Sequence, residues 1–166
     1  MRLMTSLAAA GMMMLASASW AAAPDAAQVK AVQDMLASMQ AEKMMRQTAG
    51  ASRYASETQR EAVFAKLDKV PAAQIHARLA GPVAKLVSTE TALEMTKFYA
   101  STYGQRVLQQ AYNSGPSMYG YKEPQANAAE KAFLKKPAMV QARKAFAAAE
   151  PAIRHEAFVL LKAIAK

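Results

Sequence analysis

The sequence predicts an all-α fold, a compact bundle of about six to seven helices, and three observations carry that prediction. Alanine supplies 40 of the 166 residues, and with leucine, methionine, glutamine, lysine and glutamate it fills the chain with strong helix formers. Valine (nine residues) and isoleucine (three) are scarce, so the β-branched supply that sheets favour is thin. Apolar residues recur at three- and four-residue steps, and no stretch alternates with period two over a useful length. With no cysteine, six glycines and seven prolines, a sheet sandwich, a disulfide scaffold, a cysteine-ligated metal module and a collagen-like chain are excluded.

The first 21 residues read as a secretory signal peptide rather than as part of the fold. Arg2 supplies the positive start, Leu3 to Leu15 is an apolar run too short to span a bilayer, and small residues follow in ASASWAAAP. Cleavage after Ala21 places Ser19 and Ala21 at the small-residue subsites, and cleavage after Ala18 is the alternative. The expectation is a periplasmic chain with no transmembrane anchor after cleavage, and no lipid anchor, since no cysteine stands near the site. Residues 22–166 form one helical domain in this reading, a part over 22–116 and a basic extension over 117–166.

The elements follow in order. Asp25 caps a first helix, with Gln28 answering it, and Val29, Val32, Leu36 and Met39 give a stripe that carries it to about Thr48, where Gly50 supplies a stop. Ser56 and Gln59 form a second capping box ahead of Val63, Phe64 and Leu67. Pro71 suits the start of a third helix, and Ile75, Leu79, Val83 and Leu86 keep one face across Gly81-Pro82, which predicts a kinked helix rather than two. Ser88 and Thr89 open a fourth, and Ser101 caps a fifth that ends at Gly115-Pro116. Asn113 to Pro124 reads as a loop, Asn127 and Glu130 as a third capping box, and Pro137 as the start of a C-terminal helical region that Pro151 kinks or divides. A shift of 35 residues superposes Phe98 on Phe133, Thr102 on Pro137 and Pro116 on Pro151, a weak echo compatible with an internal repeat.

The segment FYASTYGQR, Phe98 to Arg106, resembles the F-Y-x-S-P-x-G-x-K/R motif of a widespread bacterial secreted helical family of unassigned function. Phe98, Tyr99, Ser101, Gly104 and Arg106 match it, while Thr102 stands where the family has proline. The resemblance extends more loosely over Val29 to Pro116 and implies export and a helical fold, but no chemistry. Read mechanically, Phe98 and Tyr99 end one helix, Ser101 caps the next and Gly104 lets the two cross closely.

No catalytic, cofactor-binding or metal-binding residues are assigned. His76 and His155 have no metal-ligand spacing and read as helix-surface side chains, with Glu156 or Asp68 the acids weighed as partners. No G-x-S-x-G element occurs, and the acidic residues are scattered singly. Met35, Met39, Met44 and Met45 could offer thioethers to cuprous copper, but core packing explains them more simply. Charge is uneven: of the formal +9, residues 124–166 carry a net +5 and residues 22–123 a net +3. Tyr112, Tyr119 and Tyr121, with Lys135, Lys136, Arg143 and Lys144, are therefore the candidate binding surface, suited to an envelope protein or an anionic envelope component. Export argues against nucleic acid as the partner. The function expected is a non-enzymatic binding or accessory protein of the envelope; a carrier or chaperone for an apolar ligand and an immunity-type protein are the alternatives, and an enzyme ranks last.

Overall fold

Asp25 opens the first helix, its carboxylate accepting a hydrogen bond from the Gln28 backbone N–H at 2.7 Å, and α1 runs Ala26–Ser38. The computed structural model describes residues 23–113 and 123–166, and every regular element among them is helical. After α1 come α2 (Ala41–Ala51), α3 (Glu57–Asp68), α4 (Ala72–Ala84), α5 (Thr89–Ala100), α6 (Thr102–Asn113), α7 (Ala128–Leu134) and α8 (Pro137–Ala165). The fold is thus all-α. The signal-peptide segment and the Gly115-Pro116 stop lie outside the described residues.

One more helix is present than the periodicity implied, because the stripe read as running to Thr48 is broken. Met39 ends α1, and Gln40 takes the left-handed conformation at φ 56°, the one non-glycine residue with positive φ among the described residues. The physical reason lies in the methionines. In an unbroken helix nine residues turn through ~900°, so Met44 would face ~180° away from Met35. The elbow at Gln40 re-aims α2, and Met35, Met39, Met44 and Met45 are all buried in the same core. Gly50 is inside α2, not a stop; the helix ends one residue later at Ala51.

The caps are mostly as read, with instructive departures. Ser56, Ser88 and Asn127 each accept a backbone N–H from the third residue on, and Asn127–Glu130 is a full reciprocal capping box. Gln59 returns its side chain to the Ala55 N–H, one residue before the cap. Gln28 does not return at all. Its amide crosses to the end of α4 and donates to the Ala84 and Val87 carbonyls at 2.7 and 3.0 Å, closing carbonyls that a helix end leaves open. Pro82 and Pro151 interrupt neither α4 nor α8.

α1 packs most extensively on α4 and α5, and α5 packs in turn on α8, which also reaches α2, α3 and α4. Met35, Leu36, Ile75, Leu79, Met139 and Ile153 are fully buried where these helices meet. At the α5–α6 corner Ser101 accepts the Gly104 N–H at 3.0 Å and donates its hydroxyl to the Phe98 carbonyl at 2.6 Å. A Cβ on Gly104 would run into that carbonyl and lie 2.9 Å from the Tyr99 Cα, so only glycine lets the corner close. The 35-residue echo coincides with structure at one place: α6 and α8 start at residues 102 and 137.

Gly104→Ala should lower the unfolding free energy by about 2 kcal/mol in urea titration, since backbone must move and the better helix propensity of alanine does not compensate. Gln40→Gly should raise it by about 1 kcal/mol, by removing the cost of a left-handed residue, even though the Gln40–Gln105 amide contact is lost. An unchanged or lower midpoint for the second variant would show that the elbow is unstrained.

Candidate functional site

The motif residues hold the fold together. Phe98 and Tyr99 are buried, their rings meeting edge-to-face at 5.0 Å, and Tyr99 meets Phe146 of α8 at 6.0 Å. Arg106 reaches from α6 to α7, where its guanidinium donates to the two carboxylate oxygens of Glu130 at 3.1 and 2.9 Å. It donates also to the Gln125 carbonyl at 3.3 Å and stands over the Tyr103 ring. The Arg106 hydrogen bond, followed by the Asn127 N–H, holds the Glu130 carboxyl below the usual carboxylate range.

The candidate binding surface divides. Tyr112 is half-buried and its hydroxyl donates to the Met39 carbonyl at 2.7 Å, so its polar tip serves the α1–α2 elbow. Burial, with Glu42 nearby, pushes its phenol up, so the donor keeps its proton. Arg143 donates to Glu123 at 2.8 Å and covers the Phe98 ring at 5.4 Å. Lys135, Lys136 and Lys144 are exposed, with no carboxylate partner among the described residues. Tyr119 and Tyr121 lie outside the described residues.

The histidines also divide. His155 is exposed on α8, as expected. His76, beside Ile75 on the inner side of α4, is buried, and its Nε2 lies 2.9 Å from Glu42 Oε2 on α2. Neither Asp68 nor Glu156, the acids weighed from sequence, is that partner. The two residues are 34 apart in sequence, and Glu42 stands in the first turn of α2, just past the elbow at Gln40.

The feature that sequence reading did not reach is a groove of about 780 Å³ between the end of α2, the start of α3 and the last turns of α8. Its volume falls in the ~300–1,000 Å³ range of small-molecule clefts. Arg154, Phe158, Leu161, Lys162 and Ala165 line one side, at spacings that put them on one face of α8. Val63 of α3 and Leu161 are buried at the floor, while Tyr54 and Phe158 are half-buried walls.

Local hydrogen bonds take up much of the polar capacity of this surface. Thr48 and Ser52 donate their hydroxyls to the Met44 and Thr48 carbonyls, at 2.9 and 2.8 Å, and Tyr54 donates to the Ala49 carbonyl at 2.8 Å. Gln47 gives its amide to the Ala111 carbonyl, and Gln59 accepts from Ala55. Arg154 is paired with Glu150 at 2.6 Å. That leaves Arg53 and Lys162 as the lining groups with no ion pair among the described residues, Lys162 lying 4.6 Å over the Phe158 ring. A smaller cavity of about 230 Å³, bounded by Met44, Tyr99, Tyr112 and Phe146, adjoins it through Gln47 and Arg154, which line both.

Among the described residues no three His, Asp or Glu side chains gather as metal ligands, and no helix is long and apolar enough to cross a membrane. The Arg106–Glu130 tie has a pH signature. Because Glu130 is depressed below its ordinary 4.5, its contribution is full above that value and disappears as pH falls through the lowered pKa. The stability gap between the parent and Glu130→Gln should therefore be constant above about pH 5 and close in stronger acid, read from urea midpoints across pH. A gap independent of pH would mean that the charge of Glu130 contributes nothing. In comparisons with known proteins the chain matches no family model, no curated protein and no solved structure.

Proposed function

We propose that this is an exported, non-enzymatic binding protein of the bacterial envelope whose ligand is apolar or amphipathic and lies in the groove between α2, α3 and α8. The observation that carries the reading is the groove itself: a cleft of about 780 Å³ whose neutral polar side chains are turned onto backbone groups, leaving apolar walls. Such a surface gains by covering hydrocarbon and offers little to a polar ligand. The N-terminal segment and the resemblance of Phe98–Arg106 to a secreted helical family support export. Among the described residues the titratable groups lining the groove are Arg53, Tyr54, Arg154 and Lys162, and no histidine or carboxylate side chain stands there as a base.

Lys135, Lys136 and Lys144 support a second reading, a salt-sensitive contact with an acidic envelope partner, because all three are exposed and unmatched by carboxylates among the described residues. Reversal of the three to glutamate should abolish that contact and leave the groove untouched.

The neutral dye N-phenylnaphthylamine separates the two. Its fluorescence should rise on addition of the folded monomer and saturate at one dye per chain. Ala51→Phe, an exposed groove position, should weaken binding about tenfold. No binding, or binding that Ala51→Phe leaves unchanged, would sink the groove reading.

A further inference from the structure

We infer that the groove selects a single-chain amphiphile with an anionic head, an acyl carboxylate, its chain laid along α8 and its head held by Arg53 and Lys162; this rests on the reading of the groove as the binding site. The charge of the lining is one-sided. Arg53, Arg154 and Lys162 contribute three cations, and among the described residues no Asp or Glu side chain lines the groove. Arg154 already has Glu150, so Arg53 and Lys162 are the groups left for a ligand. A cation beside an apolar wall feels less of the solvent screening that weakens ion pairs in open water, so an anionic head gains there.

The polar inventory argues against other ligand classes. A sugar needs several neutral donors, but the hydroxyl protons of Thr48, Ser52 and Tyr54 are given to backbone carbonyls, leaving the amides of Gln47 and Gln59 as the neutral donor side chains. A peptide bound in extended form would carry backbone N–H and C=O groups into the groove without partners, which costs free energy for each group left unpaired. An acyl chain brings no such groups. The shape agrees: lining residues from Arg154 to Ala165 extend ~16 Å along α8 at 1.5 Å per residue, a trough suited to one extended chain. Lys162 also lies in the last turn of α8, where a cation is favoured by the helix dipole, but Arg53, in the α2–α3 connection, has no such local duty.

Isothermal titration with three twelve-carbon probes tests this: dodecanoate and dodecyltrimethylammonium below their micelle concentrations and dodecanol below its solubility limit. Dodecanoate should bind one per chain, dodecanol about fivefold more weakly and the ammonium probe weakest. The double variant Arg53→Ala/Lys162→Ala, its fold checked by circular dichroism, should bring dodecanoate down to the affinity of dodecanol. Raised salt should weaken dodecanoate alone. Equal binding of the acid and the alcohol, unaffected by the double variant, would overturn the anionic-head inference while leaving the groove reading standing. Failure of all three probes would overturn the two together.

Discussion

The left-handed turn at Gln40 is the constraint on which the rest of the arrangement depends. It allows two methionine pairs, out of phase on one straight helix, to enter one core. A non-glycine residue in that conformation costs roughly 1–2 kcal/mol, so the surroundings must hold it there. They do so from α6. Tyr112 donates to the Met39 carbonyl at the end of α1, Gln40 bonds to Gln105, and Gln47 bonds to the Ala111 carbonyl. Gln105 in turn donates to the Tyr99 carbonyl at the corner below. The elbow between α1 and α2 and the corner between α5 and α6 are therefore one connected structure. Gly104 sits at the α5–α6 corner against the Phe98 carbonyl.

Consequences run outward from that elbow. Beyond Gln40, α2 meets His76 of α4 through Glu42 and packs against α8. The α2–α3 connection then folds back, with Tyr54 bonded to Ala49, and the space left between it and the end of α8 is the groove. Lys66 of α3 bonds the Ala165 carbonyl across the same end, meeting an acceptor that the terminus of α8 leaves open. The groove is thus a by-product of how three helices must diverge after the elbow. Its floor, however, is core: Val63 and Leu161 are buried, so the shape of the floor is set by the packing beneath it.

What sequence reasoning captured and what it missed divide along one line. Local chemistry was legible: Asp25, Ser56, Ser88 and Asn127 cap the helices they were expected to cap, and Gly104 permits the crossing it was expected to permit. These effects act within three or four residues, where composition and spacing suffice. Long-range pairings were not legible. Gln28 matched a capping box but serves α4, and Tyr112 resembled a recognition residue but serves Met39. The groove draws on residues from 47 to 165 with no motif among them. One signal for the elbow was present in the chain: Met44 and Met45 lie off the stripe of Val32, Met35 and Met39, and four large apolar side chains seldom all lie on opposite faces of a surface helix.

The charge of the chain takes on a different meaning in this setting. Arg46, Arg60, Arg106, Arg143 and Arg154 each have a carboxylate partner, and several also cover an aromatic ring. Arg46 and Arg106 join neighbouring helices and Arg143 ties α8 to the segment before α7, as the planar fork suits arginine to do, while Arg60 and Arg154 pair within their own helices. The excess that gives the net +9 resides mostly in lysines on open faces, which raise the potential around the whole molecule without defining a shape. Such a field draws in anionic partners of many kinds and loses its reach as salt rises. Selection among them needs a surface that rewards one form over another. On the proposed reading the groove meets that need, its walls covering a hydrocarbon chain and its two cations without an ion pair, Arg53 and Lys162, favouring one sign of head. The open-face lysines and the groove would then act in sequence, the first raising the encounter rate with anionic amphiphiles and the second deciding which remain bound.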